Sequence, residues 1–389
     1  MEQLNERYRS LLQEADTSFV RYLHDKVNWK ARMVVIVGER GVGKTTMLFQ
    51  HIKLHNDPDN TLFVSADDLY FADNRLYDLA SMFYKNGGLH LYIDEIHKYP
   101  EWSKELKMMY DSFPKLQIVF TGSSILDIYK GTDDLSRRAL VYVMHGLSFR
   151  EYLNFAKGYD FPAYNLGQIL AGKVQLPGID HPLPLFKEYL TNGYYPFFND
   201  VEYLQRLKSI LNVTLETDIP IYAKMNVSTA RKLKQLLFII SQSVPFKPNY
   251  SKIADMMGSN RNQLGDFMVY LEKAGMVMQL RNQPSGIREL GKVEKVYLGN
   301  TNLIYAIADN RPDIGNLRET FFLSQLKVNH AVTASNRADF VVNGHTFEIG
   351  GQNKKRKQIA GLNDAYIVKD DIEYAYQNTI PLWAFGFNY

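Results

Sequence analysis

Short apolar runs alternate with amphipathic segments through the N-terminal part of the chain. The apolar runs are rich in β-branched residues and end at glycine or acidic residues, which is typical of buried strands. The segments between them carry apolar residues at helical spacing. This part is therefore predicted to be α/β. The predicted strands are 34–37, 61–65, 89–93, 116–120 and 139–144, and the predicted helices are one or two within 4–26, then 75–84 and 101–112.

The pattern changes in the second half of the chain. A stretch rich in glycine, proline and leucine at 159–184 is typical of a connecting loop with a short helix, and helices follow over 201–219. The next three helices and two strands have the order of a helix-turn-helix with a wing. These elements are 229–243, 250–258, 260–274, 275–280 and 293–298. The C-terminal part is predicted to contain a helix at 317–328 and a hairpin at 338–350.

Length and composition indicate a globular protein of several domains. The 389 residues are 46% hydrophobic and 22% charged, which is ordinary for such proteins. Cysteine is absent, which excludes disulfides and thiolate metal sites and suits a reducing compartment. The N-terminal sequence lacks the apolar core of a signal peptide, and no apolar run approaches the length that crosses a bilayer. We therefore expect a cytoplasmic protein without a membrane partner.

The first apolar strand leads into a glycine-rich sequence that matches the phosphate-binding loop, Gly-x4-Gly-Lys-Thr. Backbone N–H groups of such a loop and of the following helix can hold a triphosphate. Lys44 would reach the β- and γ-phosphates, and the Thr45 hydroxyl would bind Mg²⁺. The alternative is a glycine-rich turn that binds nothing. The predicted ATP-binding residues are Gly38, Glu39, Arg40, Gly41, Val42, Gly43, Lys44, Thr45 and Thr46.

Two carboxylates, Asp94 and Glu95, directly follow the strand at 89–93. A Mg-ATP site needs acidic groups beside its phosphate loop. Asp94 would hold the metal, directly or through water, and Glu95 would orient and deprotonate the attacking water. The alternative is a strand that ends at acidic surface residues.

Two further groups are candidates for contact with the γ-phosphate. Ser123, or next to it Ser124, follows the strand at 116–120 and could contact the phosphate and the lytic water. A helix cap is the alternative role for these serines. Arg137 or Arg138 could reach a γ-phosphate on a neighbouring subunit, and we name Arg138 as the catalytic candidate. A surface salt bridge is the alternative there.

These sequences resemble the AAA+ superfamily, and more closely its prokaryotic archaeal-type ATPases with a helical and nuclease-like tail. The resemblance is carried by residues 38–46, 92–95, 120–124 and 147–152, and by the junction at 187–196. It implies a five-stranded parallel sheet in which the strand of Asp94 does not directly follow the phosphate-loop strand in sequence. It also implies that Asp94 binds magnesium, that Glu95 is the catalytic base and that Ser123 is a nucleotide sensor.

The predicted winged helix is basic, and only Asp255 is acidic before Asp266. Such a surface could bind the phosphates of duplex DNA. The alternative is a docking or oligomerisation module whose partner is a second copy or another protein. The basic residues are Lys224, Arg231, Lys232, Lys234, Lys247, Lys252 and Arg261.

The hairpin at 338–350 resembles the core of the PD-(D/E)XK nuclease fold. Asp339 and Glu348 stand where that fold has its two metal-binding carboxylates, but Gly350 stands at the place of the lysine. Lys354 could substitute for it. The alternative, which we favour, is an inactive domain in which 354–357 is a solvated or phosphate-contacting turn.

The predicted architecture is an α/β AAA+ core followed by three smaller parts. The predicted boundaries are 1–155 for the ATPase core, 156–225 for a helical connector, 226–299 for the winged helix and 300–389 for the nuclease-like domain. The predicted activity is Mg-ATP hydrolysis that rearranges the tail. The alternatives are an ATP-gated DNA-binding or scaffold protein with little turnover, and an ATP-regulated nuclease.

Overall fold

The computed structural model describes residues 2–122, 135, 137–242, 245, 247, 249–282, 292–307, 312–355 and 357–389. The chain divides into two compact units, residues 1–145 and 146–389. The boundary predicted at 155 falls within a helix of the second unit. Among the described residues, no helix is long and apolar enough to cross a membrane.

The N-terminal unit is built on a five-stranded sheet in the order β2-β3-β4-β1-β5. Every neighbouring pair of strands is parallel, which confirms the predicted α/β sheet. Strand β4 lies between β1 and β3, so the carboxyl ends of all three open at one edge. The strands are β1 (Met33–Gly38), β2 (Thr61–Ser65), β3 (His90–Asp94), β4 (Gln117–Gly122) and β5 (Leu140–Met144).

Helices cover this sheet, and β1 is buried along its whole length. Buried apolar side chains of the strands and helices form one core cluster. Each fully buried Val, Leu, Ile or Phe contributes about 1.5–3 kcal/mol to the stability of the fold. The helices are α1 (Glu2–Glu14), α2 (Lys44–His55), α3 (Leu76–Lys85) and α4 (Trp102–Ser112).

The helical prediction for 4–26 is wrong in its second half. Helix α1 ends at Glu14, and only a short 3-10 turn, His24–Lys26, follows before β1. The Asp16 carboxylate accepts hydrogen bonds from the backbone N–H and the hydroxyl of Ser18, at 2.8 and 2.9 Å. An aspartate that bonds its neighbours in this way offers the backbone an alternative to the helix.

The C-terminal unit begins with helices. The first of them starts with a capping box in which Ser148 and Glu151 bond each other's backbone N–H. A π-helical segment, Thr214–Asp218, joins the fourth and fifth helices. The helices are α5 (Phe149–Lys157), α6 (Leu166–Leu170), α7 (Pro182–Asn192), α8 (Tyr203–Val213) and α9 (Ile219–Ala223).

Three helices and an antiparallel strand pair follow, in the predicted order. The pairing of the two strands, with three helices before them, agrees with the elements predicted from the sequence. Their assignment as a winged helix stays a prediction. The elements are α10 (Val227–Ser241), α11 (Tyr250–Met257), α12 (Arg261–Lys273), β6 (Val277–Arg281) and β7 (Val293–Leu298).

The remainder contains a second five-stranded sheet, in the order β12-β11-β10-β9-β8. The predicted hairpin is β9 and β10, which turn through Asn343 and Gly344 at φ of 49° and 86°. Strands β11 and β12 add to β10 in parallel. The elements are α13 (Thr301–Ile307), α14 (Ile314–Leu326), β8 (Val332–Ala334), β9 (Phe340–Val342), β10 (His345–Gly350), β11 (Ala365–Lys369) and β12 (Thr379–Pro381).

Candidate active site

The glycine-rich loop connects β1 to α2 at the carboxyl edge of the first sheet. A Cβ on Gly38 would collide with the carbonyl oxygen of Met144 on the adjacent strand β5. Gly41 and Gly43 have φ of 86° and 98°, in the left-handed region that glycine adopts without steric cost. Helix α2 begins directly at Lys44. The loop therefore presents its backbone beside a helix N-terminus, which is the geometry that favours phosphate.

Lys44 is buried within this loop. Its ammonium donates to the carbonyl oxygens of Gly38 and Glu39, at 3.0 and 2.9 Å. Burial lowers the pKa of Lys44 to about 8, and the nearby carboxylates of Glu95 and Asp94 partly oppose that shift. The loop thus holds a cationic group that an anion would stabilise in its charged form.

Asp94 joins three structural elements through its carboxylate. Its Oδ2 accepts from the hydroxyl of Thr45 on α2 at 2.6 Å, and its Oδ1 accepts from the hydroxyl of Thr121 at the end of β4. Burial raises the pKa of Asp94, against the effect of both hydroxyls. Adjacent hydroxyl and carboxylate oxygens are the ligand types that Mg²⁺ prefers, so Thr45 and Asp94 fit the metal predicted for them.

Glu95 has a left-handed backbone, with φ of 52°. Such a conformation costs a non-glycine residue of order 1–3 kcal/mol, and it is often found at functional sites. The Glu95 N–H donates to the Thr121 hydroxyl at 3.2 Å, and its carboxylate lies 3.5 Å from Nε2 of His97. Thr121 therefore contacts both acidic residues, through the Glu95 backbone N–H and the Asp94 carboxylate.

Two residues of this site were not predicted from the sequence. Thr121 is a polar residue within the apolar strand β4, two positions before the predicted Ser123. Arg21 is buried, and its guanidinium donates to the carbonyl oxygens of Val42 at 2.7 Å and His145 at 2.8 Å. It thereby fixes the glycine-rich loop to the end of β5. No local pattern around Arg21 indicates this role.

The predicted γ-phosphate contacts have different outcomes. Ser123 and Ser124 lie outside the described residues. The Arg138 guanidinium contacts the Asp111 carboxylate on α4 at 3.2–3.3 Å, as the salt-bridge alternative predicts, and Arg137 is exposed. A contact of Arg138 with a nucleotide on a neighbouring copy stays a prediction.

The C-terminal unit brings Glu348 and Lys354 together. Glu348 is buried, and its Oε1 forms an ion pair with the Lys354 ammonium. A Cβ on Gly350 would come within 2.6–2.7 Å of the Lys354 side chain, so this lysine fills the space above the glycine. The prediction of a solvated or phosphate-contacting turn at 354–357 is wrong for the Lys354 side chain, because the missing side chain at position 350 leaves room for it against the sheet. Lys355 and Lys357 are exposed.

Asp339 belongs to the same cluster, together with three residues that the sequence analysis missed. The Lys295 ammonium lies 3.1 Å from both the Asp339 and the Glu319 carboxylates. Tyr297 donates to Glu319 at 2.5 Å, and burial raises the pKa of Glu319. The Ile349 N–H donates to the second oxygen of Asp339. Each carboxylate of this cluster thus has a lysine partner, which is Lys295 for Asp339 and Glu319 and Lys354 for Glu348.

Two lysines of the basic surface predicted for the winged helix already have partners within the protein. Lys234 forms an ion pair with Glu216 at 2.8 Å, and Lys232 donates to the carbonyl oxygen of Gly258. Glu216 precedes the segment in sequence but packs beside it, so Lys234 faces an acidic group that the composition of the segment does not show. Binding of duplex DNA stays a prediction.

Comparison with known proteins finds family models that match two parts of the chain. Residues 30–153 match the family model of an AAA domain, and residues 183–313 match a domain of unknown function, DUF8612. The uncharacterized protein MJ1637 of Methanocaldococcus jannaschii is 25% identical over 316 residues, which are 75% of this chain and 66% of that protein.

Solved structures are also similar, at low scores. The Walker-type ATPase PABY2304 of Pyrococcus abyssi matches with a TM-score of 0.46 and 12% identity, over 74% of this chain and 95% of that one. An Hsp104–ADP complex of S. cerevisiae matches with a TM-score of 0.29 and 16% identity, over 69% and 39%. Scores this low support no argument about function. The family match supports an AAA-type domain at 30–153, and the assignments within the tail stay predictions.

Proposed function

We propose that the chain binds Mg-ATP and hydrolyses it to ADP and phosphate, and that the nucleotide state rearranges the tail. The observation that carries this proposal is the grouping of four side chains at one sheet edge. Lys44 lies within the loop, the Thr45 and Asp94 oxygens are 2.6 Å apart, and Glu95 directly follows Asp94 on a left-handed backbone. The AAA domain match over 30–153 supports the same function.

Nucleotide binding follows from the loop. Its backbone N–H groups and the Lys44 ammonium neutralise the β- and γ-phosphates. Thr45 and Asp94 supply oxygen ligands for magnesium. Bound Mg²⁺ neutralises phosphate charge and stabilises the charge that develops on transfer. Arg21 keeps the loop in place by bonding the Val42 carbonyl oxygen.

Hydrolysis needs a base for the attacking water. The Glu95 carboxylate accepts the proton from that water, whose oxygen forms the new bond to the γ-phosphorus while the bond to the ADP oxygen breaks. The left-handed backbone and the bond to Thr121 hold Glu95 beside Asp94. Glu95 thus has a role separate from the metal ligand that precedes it.

Phosphate release by the purified chain, with Mg²⁺ and with the metal chelated, tests this function. We expect release only with Mg²⁺.

Hydrogen exchange over 146–389 should differ between the ATP and ADP states if the tail responds to the nucleotide. Binding of ATP without release would favour the alternative, an ATP-gated scaffold or DNA-binding protein with little turnover.

Thr121→Val tests the positioning of the two acidic residues. The substitution keeps the shape but removes the hydroxyl that contacts Asp94 and the Glu95 backbone. By analogy with the loss of outer-shell partners of metal ligands, kcat should fall about 10- to 100-fold. KM should change little, and Thr121→Ser should recover most of the activity. An unchanged kcat in Thr121→Val would show that this contact has no positioning role.

One observation favours a second candidate function, metal-dependent cleavage of DNA by the C-terminal unit. Lys354 reaches Glu348 and fills the space above Gly350, as a displaced catalytic lysine would. The second oxygen of Glu348 is buried and accepts no hydrogen bond from the described residues. Lys295 opposes this function, because its ammonium already lies against Asp339 and competes with a metal for that carboxylate.

We expect no cleavage of plasmid or linear DNA with Mg²⁺ or Mn²⁺, with or without ATP. The reason is the competition between Lys295 and a metal at Asp339. Cleavage that disappears in Asp339→Ala and Glu348→Ala would contradict this expectation and favour the nuclease. Loss of the same cleavage in Lys354→Ala would then identify Lys354 as the displaced lysine.

A further inference from the structure

Three histidines come together at the opposite edge of the first sheet from the proposed ATP site. His24 lies in the 3-10 turn before β1, and His51 and His55 lie one turn apart near the end of α2. One ring nitrogen from each residue lies within 4.8 Å of the other two. A cavity of about 670 Å³ opens beside them and is also lined by His90 and Gln117, at the amino ends of β3 and β4.

Asp25 orients the ring of His24. The Asp25 carboxylate lies 3.2 Å from Nδ1 of His24, and Nε2 of His24 lies 3.1 Å from Nδ1 of His51. A carboxylate on one ring nitrogen places the proton there and leaves the other nitrogen with its lone pair. Metal-binding histidines usually have such a partner, which fixes the tautomer and the ring orientation.

Trp29 orients the ring of His51. The two rings stack with centroids 3.7 Å apart and planes inclined by 11°. The indole N–H of Trp29 donates in turn to the carbonyl oxygen of His24 at 2.8 Å, which ties the turn to the stack. Two of the three imidazoles are therefore held in place before any ligand binds.

His55 completes the cluster from the exposed side. It is the last residue of α2, and its ring stacks on that of His24 with centroids 5.3 Å apart. The carboxyl end of a helix carries partial negative charge, which favours a cation there. Because His55 is exposed, a metal can enter on its side and take the place of the proton between His24 and His51.

We propose that His24, His51 and His55 bind a divalent transition metal of the zinc class, with the fourth position left to water. Three imidazoles suit Zn²⁺ or Co²⁺, whereas Mg²⁺ prefers oxygen ligands such as Thr45 and Asp94. The site would join the turn before β1 to the end of α2 and so act as a structural link within the N-terminal unit. This inference does not depend on ATP hydrolysis.

Two titrations of the untagged, metal-stripped chain test the site. Zn²⁺ binding is measured by calorimetry, and Co²⁺ binding is measured by visible absorption. We expect one equivalent to bind in excess Mg²⁺, with the intense Co²⁺ absorption of tetrahedral ligation and a higher unfolding temperature. Asp25→Asn should weaken binding about 10- to 100-fold, as the loss of an outer-shell partner does, and His55→Ala should weaken it further.

Matched controls separate this site from other metal-binding groups. His181→Ala removes an exposed histidine of the C-terminal unit and should change neither affinity nor spectrum. Asp94→Asn should leave Zn²⁺ binding intact. Circular dichroism would verify that His55→Ala is folded, which its exposure favours. Absence of binding at one equivalent, or binding that His55→Ala and Asp25→Asn leave unchanged, would overturn the proposal.

Discussion

Glu95→Gln should lower the rate of ATP hydrolysis by about 10²- to 10⁴-fold, the contribution that general-base catalysis typically makes. The amide keeps the size and the polarity of the side chain but cannot accept the proton of the attacking water. ATP affinity should remain close to that of the wild type, because Lys44, Thr45 and Asp94 are unchanged. Phosphate release and equilibrium binding measure the two effects separately.

Glu101→Gln is a matched control for this substitution. Glu101 also has a left-handed backbone, with φ of 56°, but its side chain is exposed and pairs with Lys104 on α4. Its replacement should leave turnover unchanged. If Glu95→Gln hydrolysed ATP at the wild-type rate, Glu95 would not be the base, and the base would have to be sought elsewhere at the sheet edge.

Lys44→Ala should weaken ATP binding by at least about 100-fold, since a hydrogen bond to a charged group contributes about 1.5–3 kcal/mol and the lysine contacts two phosphates.

The lowered pKa of Lys44 also predicts that ATP affinity depends on pH. Burial lowers the pKa of free Lys44 to about 8, so binding above that pH requires uptake of a proton and affinity should fall as pH rises.

Lys53→Ala provides the control, because Lys53 lies on the same helix near its other end. Its ammonium donates to the carbonyl oxygens of Gln13 and Ala15. Calorimetric titration with Mg-ATP at several pH values should show wild-type binding for Lys53→Ala. Equal affinities of Lys44→Ala and the wild type would exclude the loop as the phosphate site.

The parts of the site that could be predicted are those encoded by short sequence patterns. The spacing of Gly38, Gly43 and Lys44 indicated the loop, and two carboxylates after an apolar strand indicated Asp94 and Glu95. Thr121 could not be found in this way, because its role arises from the pairing of β3 with β4. That pairing sets residues close together that are 26 and 27 positions apart in sequence.

The tail was harder to predict for the same reason. Strands β8 and β12 have three residues each, too few to show a period. Lys354 was expected in solvent, since nothing in its neighbourhood in sequence shows that Gly350 leaves space over Glu348. Glu216 and Lys234 are 18 positions apart, so their ion pair depends on how the helices pack. Contacts of this kind need the three-dimensional arrangement.

The chemical identity of the bound nucleotide tests the central claim most directly. The wild type, Glu95→Gln and Lys44→Ala would each be incubated with labelled Mg-ATP, separated rapidly from free nucleotide and denatured. The account predicts ADP on the wild type, ATP on Glu95→Gln and almost no nucleotide on Lys44→Ala. Unconverted ATP on the wild type, or ADP formed on Glu95→Gln as fast as on the wild type, would contradict it.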